Sequence, residues 1–308
     1  NTNSMNLTAK HTAILLKEAL PAYQNLLYEI QANDLIVHKG TLYVWINEKE
    51  KPTKTQIEIR QINNIEQVYL SKNEVLDLEP YLNPIIKGGW YFPKAHHTIN
   101  PDKLLSKIFM KYKEKNGQFI KKKITSITNI DQKYLINNQK YDVVVVCCGA
   151  FSNNLVKKLE GKSVPLETER GYHLEFQDTQ RFLSRPICLV DSGMYLTPLD
   201  NGIRAAGTVE FGGNRDEINN SRIAYIDQNS KRLISHLKNY QKTWLGFRPT
   251  LPDCLPIIGE SPNNTNLYYA FGHNHLGWTL GPVTGKMITK LINNEESHNQ
   301  AYKMERFF

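Results

Sequence analysis

The stretch "YDVVVVCCGAFSNNLV", residues 141–156, constrains the fold more than any other. Val143–Cys148 is a continuous apolar run with no polar alternation, and it ends on Gly149. Strands of that kind are buried on both faces, as in a parallel sheet. A helical pattern begins near Ser152, which is where a parallel strand needs its crossover. The stretch therefore predicts one strand–turn–helix unit of an open α/β sheet. Ligands of such sheets sit beyond the carboxyl ends of the strands. Gly149 would let a ligand come close to the backbone there.

A second unit of the same form closes the chain. "NLYYAFGHNHLGWTLGPVTGKMI", residues 266–288, reads as a strand, the turn Gly272–Gly277, and a helix from Trp278. Unpaired N–H groups at a helix start favour anionic ligand atoms. Gly281 and Gly285 lie four apart, and a neighbouring element is expected to pack closely on them. Between the two units the pattern turns to strands. "LETERGYHLEF" alternates, and "MYLTPLDNGIRAAGTVEF" predicts a hairpin around Asn201-Gly202. The expected fold class is α/β plus α+β, with a dinucleotide-type domain interleaved with a mixed-sheet domain. The expected segments are 1–95, 96–163, 164–243 and 244–297, with a tail at 298–308.

The remaining elements follow from periodicity and caps. Residues 8–31 read as an amphipathic helix that Pro21 should kink or divide. "LIVHKGTLYVWI" predicts a hairpin, with Leu35–Val37 and Leu42–Ile46 folding back across Lys39-Gly40. A helix should start at Pro101 with Asn100 as its cap and stop at Asn116-Gly117. A strand is expected over Phe119–Ile127, and a helix near Tyr225–Tyr240.

Length and charge narrow the function classes. A chain of 308 residues can bury a sizeable core in one large or two intertwined domains. The net charge is +8, but the basic residues are dispersed apart from Lys121-Lys122-Lys123. No aromatic–basic module accompanies them, so nucleic-acid binding is not expected. The dispersed charge reads first as a Lys-rich soluble surface, with weak attraction to an anionic membrane face as the functional alternative. No apolar run is long enough to span a bilayer, and no secretory signal opens the chain. Cys147 and Cys148 are adjacent, Cys188 and Cys254 stand alone, and there is no C-x-x-C. A reducing, cytoplasmic setting fits, with peripheral attachment to the inner membrane face as a variant. His273-x-His275 and His96-His97 lack a third ligand nearby, so no metal is expected. Neither a G-x-S-x-G nor a Walker loop nor a G-x-G-x-x-G occurs.

Arg248 is the residue that asks for chemistry. It lies among Trp244, Leu245, Phe247 and Pro249. A guanidinium in such company is costly unless an anion pairs with it, and its fork suits a carboxylate. That carboxylate could belong to the protein or to a substrate.

With these residues in view, the chain resembles the FAD-dependent amino-acid oxidoreductases of the D-amino acid dehydrogenase and glycine oxidase superfamily. "GFRPTLPDCLPIIG" with "NLYYAFGHNHLGWTLGPVTGKMI" is similar to the closing signature of that family. "YDVVVVCCGAFSNNLV" is similar to a flavin-contact segment, and "RGYHLEF" and "MYLTPLDNGIRAAGTVEF" to the substrate-domain strands. The likeness extends over essentially the whole chain. The wording of the last block is closest to bacterial D-amino acid dehydrogenases, including those for hydroxy-D-proline.

The resemblance implies non-covalent FAD, and oxidation of a D-amino acid such as D-proline to an imine or oxo acid. A quinone chain or O2 would be the acceptor. It implies that Arg248 binds the substrate carboxylate, with Tyr195 helping to clamp it. His275 falls where some glycine oxidases carry a second arginine. Gly272, His273, Leu276, Gly277 and Trp278 match the loop facing the flavin ring. Ile124 matches a strand residue at the adenine, and Gly149 the turn beside the cofactor. Gly246 stands where monomeric sarcosine oxidase attaches its flavin through cysteine. A glycine or sarcosine oxidase is the neighbouring expectation. The family opens with a βαβ unit whose G-x-G-x-x-G holds the FAD pyrophosphate, and this sequence has none. The expectation is a fragment of a longer protein, or a partner chain that supplies the unit. An incomplete subunit without chemistry of its own is the reading of a different class.

Overall fold

The computed structural model describes residues 2–177, 180–295 and 299–308. The first half of the chain alternates short elements. They are α1 (Thr2–Glu29), β1 (Ile36–His38), β2 (Thr41–Trp45), α2 (Lys54–Ile62), β3 (Val68–Ser71), α3 (Lys72–Leu78), β4 (Gly88–Phe92), β5 (His96–Thr98) and α4 (Pro101–Glu114). Thr53 and Ser71 each form a capping box, which fixes where α2 and α3 begin. Asn100 caps α4 as expected, its Oδ1 accepting from the Lys103 N–H. Asn116, in the left-handed region at φ 62°, ends that helix.

Next come β6 (Ile127–Ile130), β7 (Lys133–Ile136), β8 (Gln139–Tyr141), β9 (Val144–Val146), α5 (Ser152–Glu160), β10 (Glu167–Gln177), β11 (Ile187–Leu189), β12 (Met194–Leu199) and β13 (Gly202–Phe211). The chain closes with α6 (Asn220–Leu233), β14 (Lys242–Thr250), β15 (Ile257–Glu260), β16 (Leu267–Phe271) and α7 (Gly277–Ile292).

An eight-stranded mixed sheet in the order β14-β10-β13-β12-β11-β2-β4-β3 is the largest element. Alternation divides its two faces. Leu42, Val44, Tyr172, Leu174, Phe176, Ile187, Leu189, Leu196, Ile203 and Ala205 turn to one side. There they bury against Ile223, Ile226 and Leu233 of α6 and Val75 of α3. The opposite face carries one row of paired residues: Trp90, Tyr43, Cys188, Tyr195, Ala206, His173 and Trp244. That face is polar and aromatic, and most of it is not part of the core.

A smaller sheet, β15-β16-β9, has β16 parallel to β9. Ile258 and Tyr268 face α1 and α7, meeting Leu15, Ala19, Leu280, Val283 and Ile288. Ile257, Leu267, Tyr269 and Phe271 face the other way, onto Val156 of α5 and Tyr134 of β7. Strands β6-β7-β8 form a separate meander.

Several expectations are corrected. Pro21 does not divide α1, because Leu15, Ala19 and Ala22 are buried against α7 and hold the turn that proline weakens. The predicted hairpin over Leu35–Ile46 does not form. Gly40, at φ 70°, steps the chain between sheets, so β1 pairs β5 while β2 pairs β4 and β11. The strand predicted over Phe119–Ile127 is an extended segment without a ladder until β6. Its end is tied by the Asn137 side chain, which accepts from the Thr125 and Ser126 amides. Strand β9 is parallel as predicted but lies at the sheet edge, with Val143 37% and Val145 36% exposed. The predicted helix at Tyr225–Tyr240 begins earlier, at Asn220. Among the described residues, no atom of another element lies within 4 Å of a Cβ placed at Gly281 or Gly285, so none of them packs closely there. The boundary at 297/298 lies outside the described residues.

Candidate active site

The two strand–turn–helix units stand side by side. Val146 of β9 pairs with Tyr269 of β16, and the two strands are parallel. Gly149 and Gly272 each follow three residues beyond that pair, so both turns emerge at the carboxyl edge of the sheet. Both glycines are left-handed, at φ 54° and 83°. A Cβ at Gly272 would meet Leu251 Cδ1 at 2.6 Å, whereas the space around Gly149 is open to 4 Å.

Helix α7 starts at Gly277 with Leu276 in the cap position, and no side chain caps it. No acidic residue occupies its first turn. Its leading N–H groups are left for an acceptor outside the helix. His273 braces the turn, with Nε2 at 2.9 Å from Thr284 Oγ1, and burial lowers its pKa to about 4. Trp278 donates its indole N–H to Thr98 Oγ1 and accepts at its carbonyl from Tyr23 OH. Near these turns Asn274 Oδ1 and Ser152 Oγ are buried without a hydrogen-bond partner among the described residues.

Strand β14 brings Arg248 to this edge. The Asn274 N–H donates to Pro249 O at 2.9 Å, and the Phe247 and Phe151 rings meet edge to face at 6.0 Å. Arg248 is half-buried, donates from Nη1 to Thr208 O at 3.3 Å, and its pKa is lowered by desolvation, with Glu169 opposing. No carboxylate lies at ion-pair distance from it among the described residues. The pKa of His275 is lowered first by desolvation and then by the Arg248 charge, with Glu169 opposing, so these three groups feel one another.

Tyr195 projects from β12 on the same polar face. Its hydroxyl lies 2.8 Å from Tyr43 OH. Burial raises the pKa of both, so both remain neutral phenols. Arg60 lies over the Tyr43 and Phe92 rings, at 5.7 and 5.1 Å. His173 stacks on Trp244 at 4.9 Å between centroids, and Glu175 pairs with Arg204 and Lys242 below it.

The structure thus gathers Arg248, His275, Gly149, Gly272, His273, Leu276, Gly277 and Trp278 at one sheet edge, with Tyr195 on the adjoining face. Ile124 is apart from them, 39% exposed in the segment without a ladder. Tyr43, Glu169 and His173 belong to this face and carried no local signal in the sequence. Only the strand register puts them there. Gly171 did carry a signal, a glycine inside an alternating strand, which marks a bulge or a close approach.

The open left-handed turn at Gly149, the uncapped helix start and the orphaned Ser152 hydroxyl suit an anionic group, and the orphaned Asn274 oxygen suits a donor, a combination that a dinucleotide offers. The residues present fit that group. Among the described residues no cluster of metal-binding side chains occurs. No helix among them is long and apolar enough to cross a membrane.

Comparison with known proteins gives the same direction. The chain is 26% identical to a D-amino-acid oxidase of Bradyrhizobium diazoefficiens, over 92% of this chain and 69% of that protein. It is 37% identical to a D-amino acid dehydrogenase of Vibrio vulnificus, over 52% of this chain and 39% of that one. The chain therefore spans only part of these relatives. Among solved structures, a glycine oxidase from Geobacillus kaustophilus superposes with a TM-score of 0.86 over 96% of this chain and 83% of its own, at 18% identity. An L-proline dehydrogenase from P. horikoshii gives 0.82 over 95% and 82%, at 19% identity. At such identities the likeness concerns the fold. The family model for FAD dependent oxidoreductases, DAO, matches residues 6–291, and the chain belongs to that family.

Proposed function

We propose that this chain carries the substrate site of an amino-acid oxidoreductase that acts on a D-amino acid, with D-proline and hydroxy-D-proline the first candidates. The single observation behind this reading is Arg248, a desolvated guanidinium with no protein carboxylate at ion-pair distance among the described residues. Its fork would take the substrate carboxylate bidentately. Tyr195, a neutral phenol, would add a hydrogen bond, and His275 would border the same carboxylate as an uncharged imidazole. The D-amino-acid oxidase and dehydrogenase relatives support the substrate class.

Gly149, Gly272, His273, Leu276, Gly277 and Trp278 would hold FAD, the amides at the start of α7 meeting its electron-rich ring edge. When bound, the flavin supplies the hydride acceptor. The chain's own part is positioning: it fixes the carboxylate and leaves the substrate Cα–H on the side of the glycine turns. A primary amine would emerge as an imine and hydrolyse to an oxo acid. Gly246 offers no side chain for attachment, so the cofactor would be held non-covalently. Ile124 at the adenine is part of the same proposal.

The glycine oxidase likeness supports a second reading, in which O2 is the acceptor and glycine or sarcosine the substrate. Turnover under air, compared with turnover under argon with a quinone analogue, separates the two. The edge position of β9, with Val143 and Val145 exposed, supports one further point. A parallel strand with its glycine-rich turn, from a longer chain or a partner, would pair there and complete the flavin site.

The deciding experiment mixes the purified chain with FAD, desalts it, and records flavin absorbance before and after anaerobic D-proline or D-alanine. Retained flavin that bleaches supports the proposal. Retained flavin that bleaches only with glycine or sarcosine would transfer it to the second reading.

A further inference from the structure

We propose that Gly171 is a positioning residue: it gives the Arg248 guanidinium its seat, and Thr208 anchors one corner of the fork. This rests on the reading of Arg248 as the carboxylate-binding residue.

The seat is built by a bulge between β10 and β13. Tyr172 pairs with Gly207, and Arg170 pairs with Glu210. Two residues, Thr208 and Val209, therefore stand opposite Gly171 alone. Thr208 occupies the bulge at φ 62°. A β-branched residue in the left-handed region is strained, and its Oγ1 is buried without a partner among the described residues. The strained backbone has one visible use: Thr208 O accepts from Arg248 Nη1.

Arg248 starts two strands away, on β14, and must cross β10 to reach that carbonyl. It crosses at Gly171. A Cβ on Gly171 would overlap the guanidinium carbon and both terminal nitrogens of Arg248. The next glycine makes the same kind of room. Gly246 pairs with Gly171 across β10 and β14, and a Cβ there would overlap the Trp244 ring. Two paired glycines inside a sheet lose side-chain packing, and close approach is the reason strands tolerate them. Here each accommodates one β14 side chain flat on the polar face. Since no carboxylate pairs with Arg248 among the described residues, shape and one carbonyl hold the fork. Its other N–H groups stay available to a ligand.

The test uses the 308-residue chain with FAD and calorimetric titration with D-lactate and with its neutral amide, D-lactamide. The parent chain should prefer the acid. Arg248→Met should abolish that preference. Gly171→Ala should weaken D-lactate about ten- to a hundredfold, the loss expected for a misplaced charged hydrogen-bond pair, and leave D-lactamide nearly unchanged. A purely structural role would weaken both ligands alike.

If Arg248→Met loses the preference while Gly171→Ala keeps it within about twofold, Gly171 is not a positioning residue and Arg248 keeps its role. A parent chain with no preference for the acid overturns the Arg248 reading and this inference with it. Should Gly171→Ala fold poorly, thermal melting of Gly171→Ala/Arg248→Met decides. Removing the guanidinium frees the space the new methyl needs, so the double variant should melt higher than Gly171→Ala. A double variant that melts no higher overturns the inference.

Discussion

At Arg248 a guanidinium has given up part of its hydration without gaining a carboxylate partner among the described residues. Desolvation of a cation is costly, and lysine would carry the same charge without the fork. Arg248→Lys should therefore raise KM for a D-amino acid by about ten- to a hundredfold, matching roughly 1.5–3 kcal/mol for a charged hydrogen-bonded pair, with kcat reduced less. Steady-state kinetics on the flavin-loaded chain check this, and an unchanged KM removes the carboxylate role. The apolar neighbours of Arg248 made it legible in the sequence. Its seat was not, because Gly171 and Thr208 meet it only through a bulge that the pairing of β10 and β13 creates.

The two glycine turns differ as elements, although both are left-handed. Gly272 is enclosed, and a methyl group there meets Leu251 as well as an unfavourable φ. Gly149 has the unfavourable φ alone, with open space beside it. Gly272→Ala should lower the melting temperature clearly more than Gly149→Ala, whose backbone strain is about 1 kcal/mol. Gly149→Ala should instead reduce the flavin retained after desalting, since its methyl enters the open turn. Equal melting shifts would mean that Leu251 yields easily and the contrast in space is not real. Both units, β9 to α5 and β16 to α7, were legible because an apolar run, a glycine and a helical period adjoin in sequence. The β12–β13 hairpin was legible for the same local reason. Pairings decided at long range were not. Gly40 reads as a hairpin turn but delivers β1 and β2 to different sheets, and the apolar residues 119–127 look like a strand yet meet no ladder before β6. Strand β9 has the composition of a central strand and stands at an edge, a difference no local pattern carries.

Three desolvated histidines, His97 buried and His173 and His273 half-buried, link these regions to the stability of the whole molecule. His97 lies in the β1–β5 ribbon, His173 on the polar face of the large sheet, and His273 in the turn before α7. Each has its pKa lowered from 6.5 to about 4, with desolvation as the first cause; Arg204 adds to it at His173 and His96 at His97. The folded state therefore keeps three neutral imidazoles where the unfolded chain binds protons. Their contribution is fully present above pH 6.5 and is lost as the pH falls from there towards 4. The carboxylates with lowered pKa values, among them Glu175 and Glu210, have an ordinary value of 4.5 and act mainly below this window. At about pH 5.5 the histidines should thus dominate, and unfolding should take up roughly three protons from these imidazoles, with a further part from His96 and His275, whose pKa values are also lowered. Calorimetric unfolding in two buffers of different ionisation enthalpy measures that number. His173→Asn should reduce it by about one and flatten the fall in melting temperature between neutral and mildly acidic pH. An uptake below one proton would show that these imidazoles are already charged in the folded chain, and a charged His273 beside the start of α7 would then alter the electrostatics of the turn on which the flavin proposal depends.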